Sequence, residues 1–187
     1  GTYHKVHCTE SERALGIVPG DQWPVFDLDF GRIGMQICHD NSFPESARCL
    51  AVNGAEVVFW PHVMSGWGDE IMEVMIRAPA TFNGIIHVPV CYGCPEGQAW
   101  MPGMMIGHSS IIRADGTTIA DAGHYAGIAL GEVDLDAPRL AGGFTRDGDY
   151  IYRVDMLNDR RPETYGTLIR AWEKITPRPA DELNKGS

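Results

Sequence analysis

The stretch Gly34-Met35-Gln36-Ile37-Cys38-His39-Asp40 is where chemistry is most readily expected. A buried strand runs into Cys38, a tight turn follows, and a helix is expected within a few residues. Such a turn lifts one side chain out of the sheet top. It also turns the following backbone N–H groups toward the same space, where they can stabilise an oxyanion. The same environment favours a thiolate, which acyl transfer through a thioester requires. Pattern alone leaves a second reading open, because free cysteines are commonly structural core residues. Cys8, Cys49, Cys91 and Cys94 lack this strand–turn–helix setting and are read as structural. Cys91-Tyr92-Gly93-Cys94 has CxxC spacing, but a structural metal site needs about four ligands and no second pair accompanies it. No metal is expected, and the pair is read as two semi-buried thiols at a strand end.

The elements that would position Cys38 follow from hydrophobic periodicity. Val25 to Phe30 alternates as a half-exposed strand, Gly31-Arg32 turns, and Ile33 to Cys38 reads as a more buried strand. Ser42 and Glu45 have capping-box spacing, with Pro44 suited to a first helical turn. A short helix, Ser46 to Val52, closes at Asn53-Gly54. Ala55 to Trp60 and Ile85 to Cys91 read as buried strands. Between them, Asp69 to Asn83 carries a helical apolar stripe, which Pro79 is expected to kink or shorten. Residues 93 to 107 form a Gly/Pro-rich loop. Ser109 to Arg113 and Thr117 to Ala120 flank Ala114-Asp115-Gly116 as a hairpin. Gly127 to Val133 reads as a last strand. From residue 134 to 187 the chain is expected to be a polar, irregular tail with a short helical stretch from Thr164 to Lys174, packing on the domain or on a partner subunit. Strand–helix alternation followed by a hairpin predicts one α/β layered domain over residues 1–187.

Composition narrows the function classes. Of 187 residues, 44% are hydrophobic and 21% charged, which is globular usage rather than disorder. A net charge of −10 repels phosphate backbones, so nucleic acid is not an expected partner. No apolar run is long enough to span a bilayer, and no membrane partner is expected. Five cysteines, an odd number, do not suggest a disulfide framework, and a reducing cytoplasmic location is expected. The chain opens with neither Met nor an apolar leader, so it is expected to begin mid-protein or after processing.

Several segments, in order and over nearly the whole chain, resemble the nitrilase superfamily of carbon–nitrogen hydrolases. Tyr3-His4-Lys5-Val6-His7 is similar to its lysine motif, and Pro19-Gly20-Asp21 to the turn that follows. Gly34 to Asp40, with Pro44-Glu45 and Gly54-Ala55-Glu56, resembles its cysteine motif. Arg77-Ala78, Asn83-Gly84, Ser109-Ser110, Asp115-Gly116 and Asp159-Arg160-Arg161-Pro162 resemble stretches of amidase and carbamoylase members. The resemblance implies an αββα sandwich whose opening strand–helix units precede this chain. It also implies cofactor-free hydrolysis of an amide or N-carbamoyl bond, with nitriles as a less favoured substrate, and a homo-oligomer. Cys38 matches the nucleophile, and Lys5 matches the lysine that stabilises the tetrahedral intermediate. The N–H of His39 would help form the oxyanion hole. Glu12 is the best match for a second glutamate, with Glu10 as the alternative. His39, Asn41 and His62 are candidates for substrate contact, though either histidine could be an ordinary core or surface residue. Some carbamoyl-amino-acid hydrolases place arginines where Asn41 and Ser42 stand, so an acid substrate is disfavoured.

Three departures accompany the resemblance. The family's general-base glutamate precedes the lysine motif, so no residue here is assigned to it. Phe82 stands where many relatives carry an acid, and Pro79 interrupts the helix before it. A non-catalytic fragment or binding module is therefore the competing reading, with metal binding through Cys91 and Cys94 a third.

Overall fold

The computed structural model describes residues 1–63, 69–101, 107–136, 140–144 and 150–171. A six-stranded mixed sheet organises them, in the order β1 (Val25–Leu28), β2 (Gly31–Met35), β3 (Val57–His62), β4 (Ile86–Cys91), β5 (Ser110–Ile112) and β6 (Thr118–Asp121). Strands β2, β3 and β4 run parallel, while β1, β5 and β6 are antiparallel to their neighbours. Helices α2 (Pro44–Val52) and α3 (Asp69–Asn83) make the two crossovers between the parallel strands. The expected strand–helix–strand–helix–strand order is therefore present.

Both helices pack on one face of the sheet. Trp60, Met72, Met75, Ile76, Ala80 and Ile112 form one buried cluster, and Leu50, Ala51, Ala55, Val58 and Ile85 form another. Full burial of a side chain such as Leu50 stabilises the fold by about 1.5–3 kcal/mol. Gly34 belongs in β2 because α2 lies so close: a Cβ there would sit 2.9 Å from Leu50 Cδ2. On the other face Ile33, Met35, Phe59 and Val88 are only half-buried, and Val90 is exposed.

Four local expectations change. Helix α2 begins at Pro44 with Phe43 as its N-cap and no side-chain cap, because the Ser42 hydroxyl lies against His39 Nδ1 instead, at 3.3 Å. Pro79 does not end α3, which continues to Asn83. A proline lacks the N–H that would bond the carbonyl four residues back, here that of Met75. Asn41 Nδ2 donates to that carbonyl at 2.9 Å and takes the missing donor's place. Residues 127–133 are not a strand; Ile128 and Leu130 are exposed, and no strand pairing involves the segment among the described residues. The stretch after 134 is more ordered than expected. It holds a hairpin of β7 (Leu140–Phe144) and β8 (Tyr150–Asp155), then a 3₁₀ helix at Pro162–Ile169, while 172–174 of the expected helical stretch lie outside the described residues. There Arg48 Nη1 donates to Met156 O at 2.6 Å, and Leu157 packs against the cluster around Leu50. No described helix is long and apolar enough to cross a membrane.

Candidate active site

Strand β2 stops at Met35, and Gln36 N–H makes one more parallel-type bond, to Phe59 O. Cys38 then takes φ +47, in the left-handed region, and opens a 3₁₀ turn over Cys38–Ser42. A non-glycine residue there costs on the order of 1–2 kcal/mol, so the surroundings must hold it. Trp60 Nε1 donates to Cys38 O at 2.9 Å. Ile37 N donates to Asp40 Oδ2 at 2.8 Å, and Asp40 N to Ile37 O at 3.0 Å. The half-buried Cys38 packs against the Trp60 cluster. It leaves the carboxyl end of β2, next to strand β3 ending in His62 and then β4 ending in Cys91. The carboxyl ends of parallel strands are where open α/β sheets bind ligands.

Residues 3–7 lie beside this turn. Lys5 Nζ reaches both carboxylate oxygens of Glu12 at 2.7 Å, and its side chain is only 9% exposed against 29% for Glu12. The short helix α1 (Glu10–Ala14), with a capping box between Thr9 and Glu12, places that carboxylate. Lys5 foremost, and then the Thr9 N–H, lower the Glu12 pKa to about 2. Glu10 is exposed, so of the two candidate glutamates the geometry puts Glu12 at the lysine. The Lys5 carbonyl is anchored in turn by Gly20 N–H at 2.8 Å.

Asp40, which the sequence reading passes over, ties the two segments together. Its carboxylate is fully buried. Tyr3 OH donates to Oδ2 at 2.7 Å, and His7 N–H donates to Oδ1 at 2.7 Å. The His7 ring nitrogen Nδ1 lies 3.1 Å from Oδ1, and the ring stacks on Phe43. Burial, and then Asp40, push the Tyr3 hydroxyl well above the ordinary tyrosine range, so it stays a donor. Aspartate and tyrosine sit 37 residues apart, and no local spacing signals the pair.

The three candidate contacts separate. Asn41 is buried and both ends of its amide are occupied: Gln36 Nε2 donates to its Oδ1 at 2.5 Å, and its own Nδ2 goes to Met75 O. Its side chain ties the turn to α3. His39 is half-buried, with its ring edge-on to Phe43. His62 is buried and stacks on Trp60 with ring centres 3.9 Å apart. Its Nδ1 has no hydrogen-bond partner among the described residues, and burial lowers its pKa to about 4, leaving the ring neutral near pH 7. Cys94 is buried and its thiol donates to Gln98 O. Burial raises the Cys91 pKa. All five cysteines are free thiols. Among the described residues no group of three or more His, Cys, Asp or Glu could hold a metal ion.

Comparison with known proteins places this arrangement. An amidase of Nesterenkonia sp. AN1 superimposes with a TM-score of 0.67 at 25% identity, over 89% of this chain and 57% of that one. A deaminated glutathione amidase of Synechocystis is 32% identical over 146 residues, covering 72% of this chain and 52% of the relative. A probable nitrilase of Schizosaccharomyces pombe is 31% identical over 174 residues, covering 90% of this chain and 58% of the relative. Fold and sequence thus define a nitrilase-superfamily α/β domain. The carbon–nitrogen hydrolase profile matches residues 1–141, and the chain belongs to that family. It spans a little over half the length of these relatives.

Proposed function

We propose that the protein hydrolyses a non-peptide carbon–nitrogen bond, an amide or an N-carbamoyl group, with Cys38 as nucleophile. The observation that carries this reading is the left-handed Cys38 turn, joined through Asp40 to the segment that carries the half-buried Lys5–Glu12 pair. A fluoroacetamide-derived acetamide moiety is attached to the active-site cysteine in a structure of the Nesterenkonia amidase, which is 25% identical to this chain with a TM-score of 0.65.

The route follows from the groups present. The Cys38 thiolate attacks the carbonyl carbon and forms an S–C bond. The carbonyl π electrons move onto oxygen, where the His39 N–H and the Lys5 ammonium stabilise the charge. Glu12 keeps the Lys5 ammonium aligned. The C–N bond then breaks, and ammonia or an amine leaves with the proton that the thiol gave up. Water finally cleaves the thioester and regenerates the thiol. The resemblance assigns proton transfer to a glutamate preceding the lysine motif, and the motif assigns that role to none of the described residues. Neutral His62, together with the absence of arginine at 41 and 42, suits an uncharged acyl group better than a carboxylate. Homo-oligomerisation and a cytoplasmic location complete the reading, supported by the exposed Ile128 and Leu130 and by five free thiols.

The test is ammonia release from a panel of amides and carbamoyl compounds, comparing the protein with its Cys38→Ala variant. Loss of about 10³-fold or more is expected. Equal release from both proteins would remove Cys38 from the mechanism.

A further inference from the structure

We propose that Asp40 is a positioning residue that sets Lys5 against Cys38; this rests on the roles just given to those two groups. The hydrogen bonds form a bracket. On one side Asp40 receives Tyr3 OH and His7 N–H, and Lys5 is the residue midway between those donors. On the other it receives Ile37 N–H, and Cys38 lies between Ile37 and Asp40 in the chain. Oδ2 serves Tyr3 and Ile37 together, so one oxygen fixes the lysine segment to the nucleophile turn. Oδ1 takes the His7 backbone and faces the His7 ring, which Ser46 Oγ approaches to 3.4 Å.

The charge on Asp40 is part of the design. A buried carboxylate accepts only, so every donor aimed at it is satisfied. An amide in its place would set its own NH₂ against one of those donors. The Lys5 ammonium, by contrast, is held by Glu12. Glu12 therefore fixes the lysine's head, while Asp40 holds Tyr3 and His7, the residues two before and two after it, and so sets where its backbone lies.

A fold anchor and a positioning residue are separated by a double-mutant cycle. Each cysteine is followed for its rate of alkylation by iodoacetamide, using peptide mass spectrometry. The proteins compared are wild type, Tyr3→Phe, Asp40→Asn and Lys5→Ala, and each of the first two substitutions combined with Lys5→Ala. Alone, Asp40→Asn and Lys5→Ala are each expected to slow Cys38 by about tenfold, and Tyr3→Phe by about threefold, the range a single lost charge or hydrogen bond produces. In the Lys5→Ala background neither is expected to slow it further, because the group being positioned is gone. Equal slowing with and without Lys5, or no slowing at all, overturns the inference while leaving Cys38 as nucleophile. Should Asp40→Asn fail to fold, Tyr3→Phe decides the question alone. A wild-type Cys38 that reacts no faster than the other four thiols and ignores Lys5→Ala overturns the underlying reading, and this inference with it.

Discussion

Among the described residues aspartate meets histidine in two places, and the two pairs differ in what they are worth. Asp40 and His7 lie 3.1 Å apart with the carboxylate at 0% exposure, whereas Asp121 and His108 lie closer, at 2.9 Å, with both side chains 38% exposed. The second pair extends into a chain. His108 Nε2 and His124 Nδ1 are 2.8 Å apart, and His124 stacks on Trp100. Distance alone would rank the exposed pair first. Burial reverses the order, because water competes for the exposed groups while the buried carboxylate has only its protein donors.

The largest effect expected from breaking this contrast is at Asp40. Asp40→Asn should destabilise the fold by about 3 kcal/mol in urea denaturation, the scale of lost hydrogen bonds to a charged group, while Asp121→Asn should cost less than about 1 kcal/mol. Comparable losses at the two sites would erase the distinction. A second way to sharpen it is pH. Burial holds His62 and His87 at pKa values of about 4, whereas an unfolded histidine titrates near 6.5. Between those values the unfolded chain binds protons that the folded chain refuses. Stability should therefore fall by a few kcal/mol as pH drops from about 6.5 to about 4. Denaturation curves taken across that window that fail to shift would show that these rings are solvated in solution.

The junction of Asn41 and Pro79 should give an intermediate effect. Asn41→Ala strands the buried Met75 carbonyl and should cost about 2 kcal/mol. In a Pro79→Ala background, where a backbone N–H can return to that carbonyl, the cost should shrink by about 1 kcal/mol. Additive losses would show that Asn41 does not substitute for the missing donor. The smallest effect is expected at Glu12, which is partly open to solvent. Its lowered pKa contributes stability above about pH 4.5 that is lost as pH falls toward 2. Glu12→Gln should remove about 1 kcal/mol or less at neutral pH, so a much larger loss in thermal unfolding would mean that the Lys5–Glu12 pair is structural.

How far the sequence reveals this molecule depends on the range of the interaction that decides each feature. The apolar stripe of Asp69–Asn83 marks α3 to the residue, and Asp115-Gly116 marks the β5–β6 hairpin, because both signals are local. Ser42 and Glu45 have the spacing of a capping box, yet that motif is found at Thr9 and Glu12. Spacing cannot tell a cap from a hydroxyl engaged elsewhere. The alternation in 127–133 looks like a strand, but a strand exists only where a neighbour supplies hydrogen bonds. In the site, Cys38 stands out because its turn is encoded by adjacent residues. Asp40 does not, because its donors come from residues 3 and 7. The role of Asn41 depends on a carbonyl left open by a proline 38 positions later, and one-dimensional patterns do not register such a dependence.

Gly20 carries a hidden vulnerability. Besides anchoring the Lys5 carbonyl, it leaves no room for a side chain, since a Cβ there would lie 2.3 Å from His4 O. Even alanine would have to displace backbone, and the backbone displaced is the one from which the lysine projects. In a saturation screen, position 20 should tolerate substitution as poorly as Lys5 itself, because what it contacts is the backbone that carries the lysine.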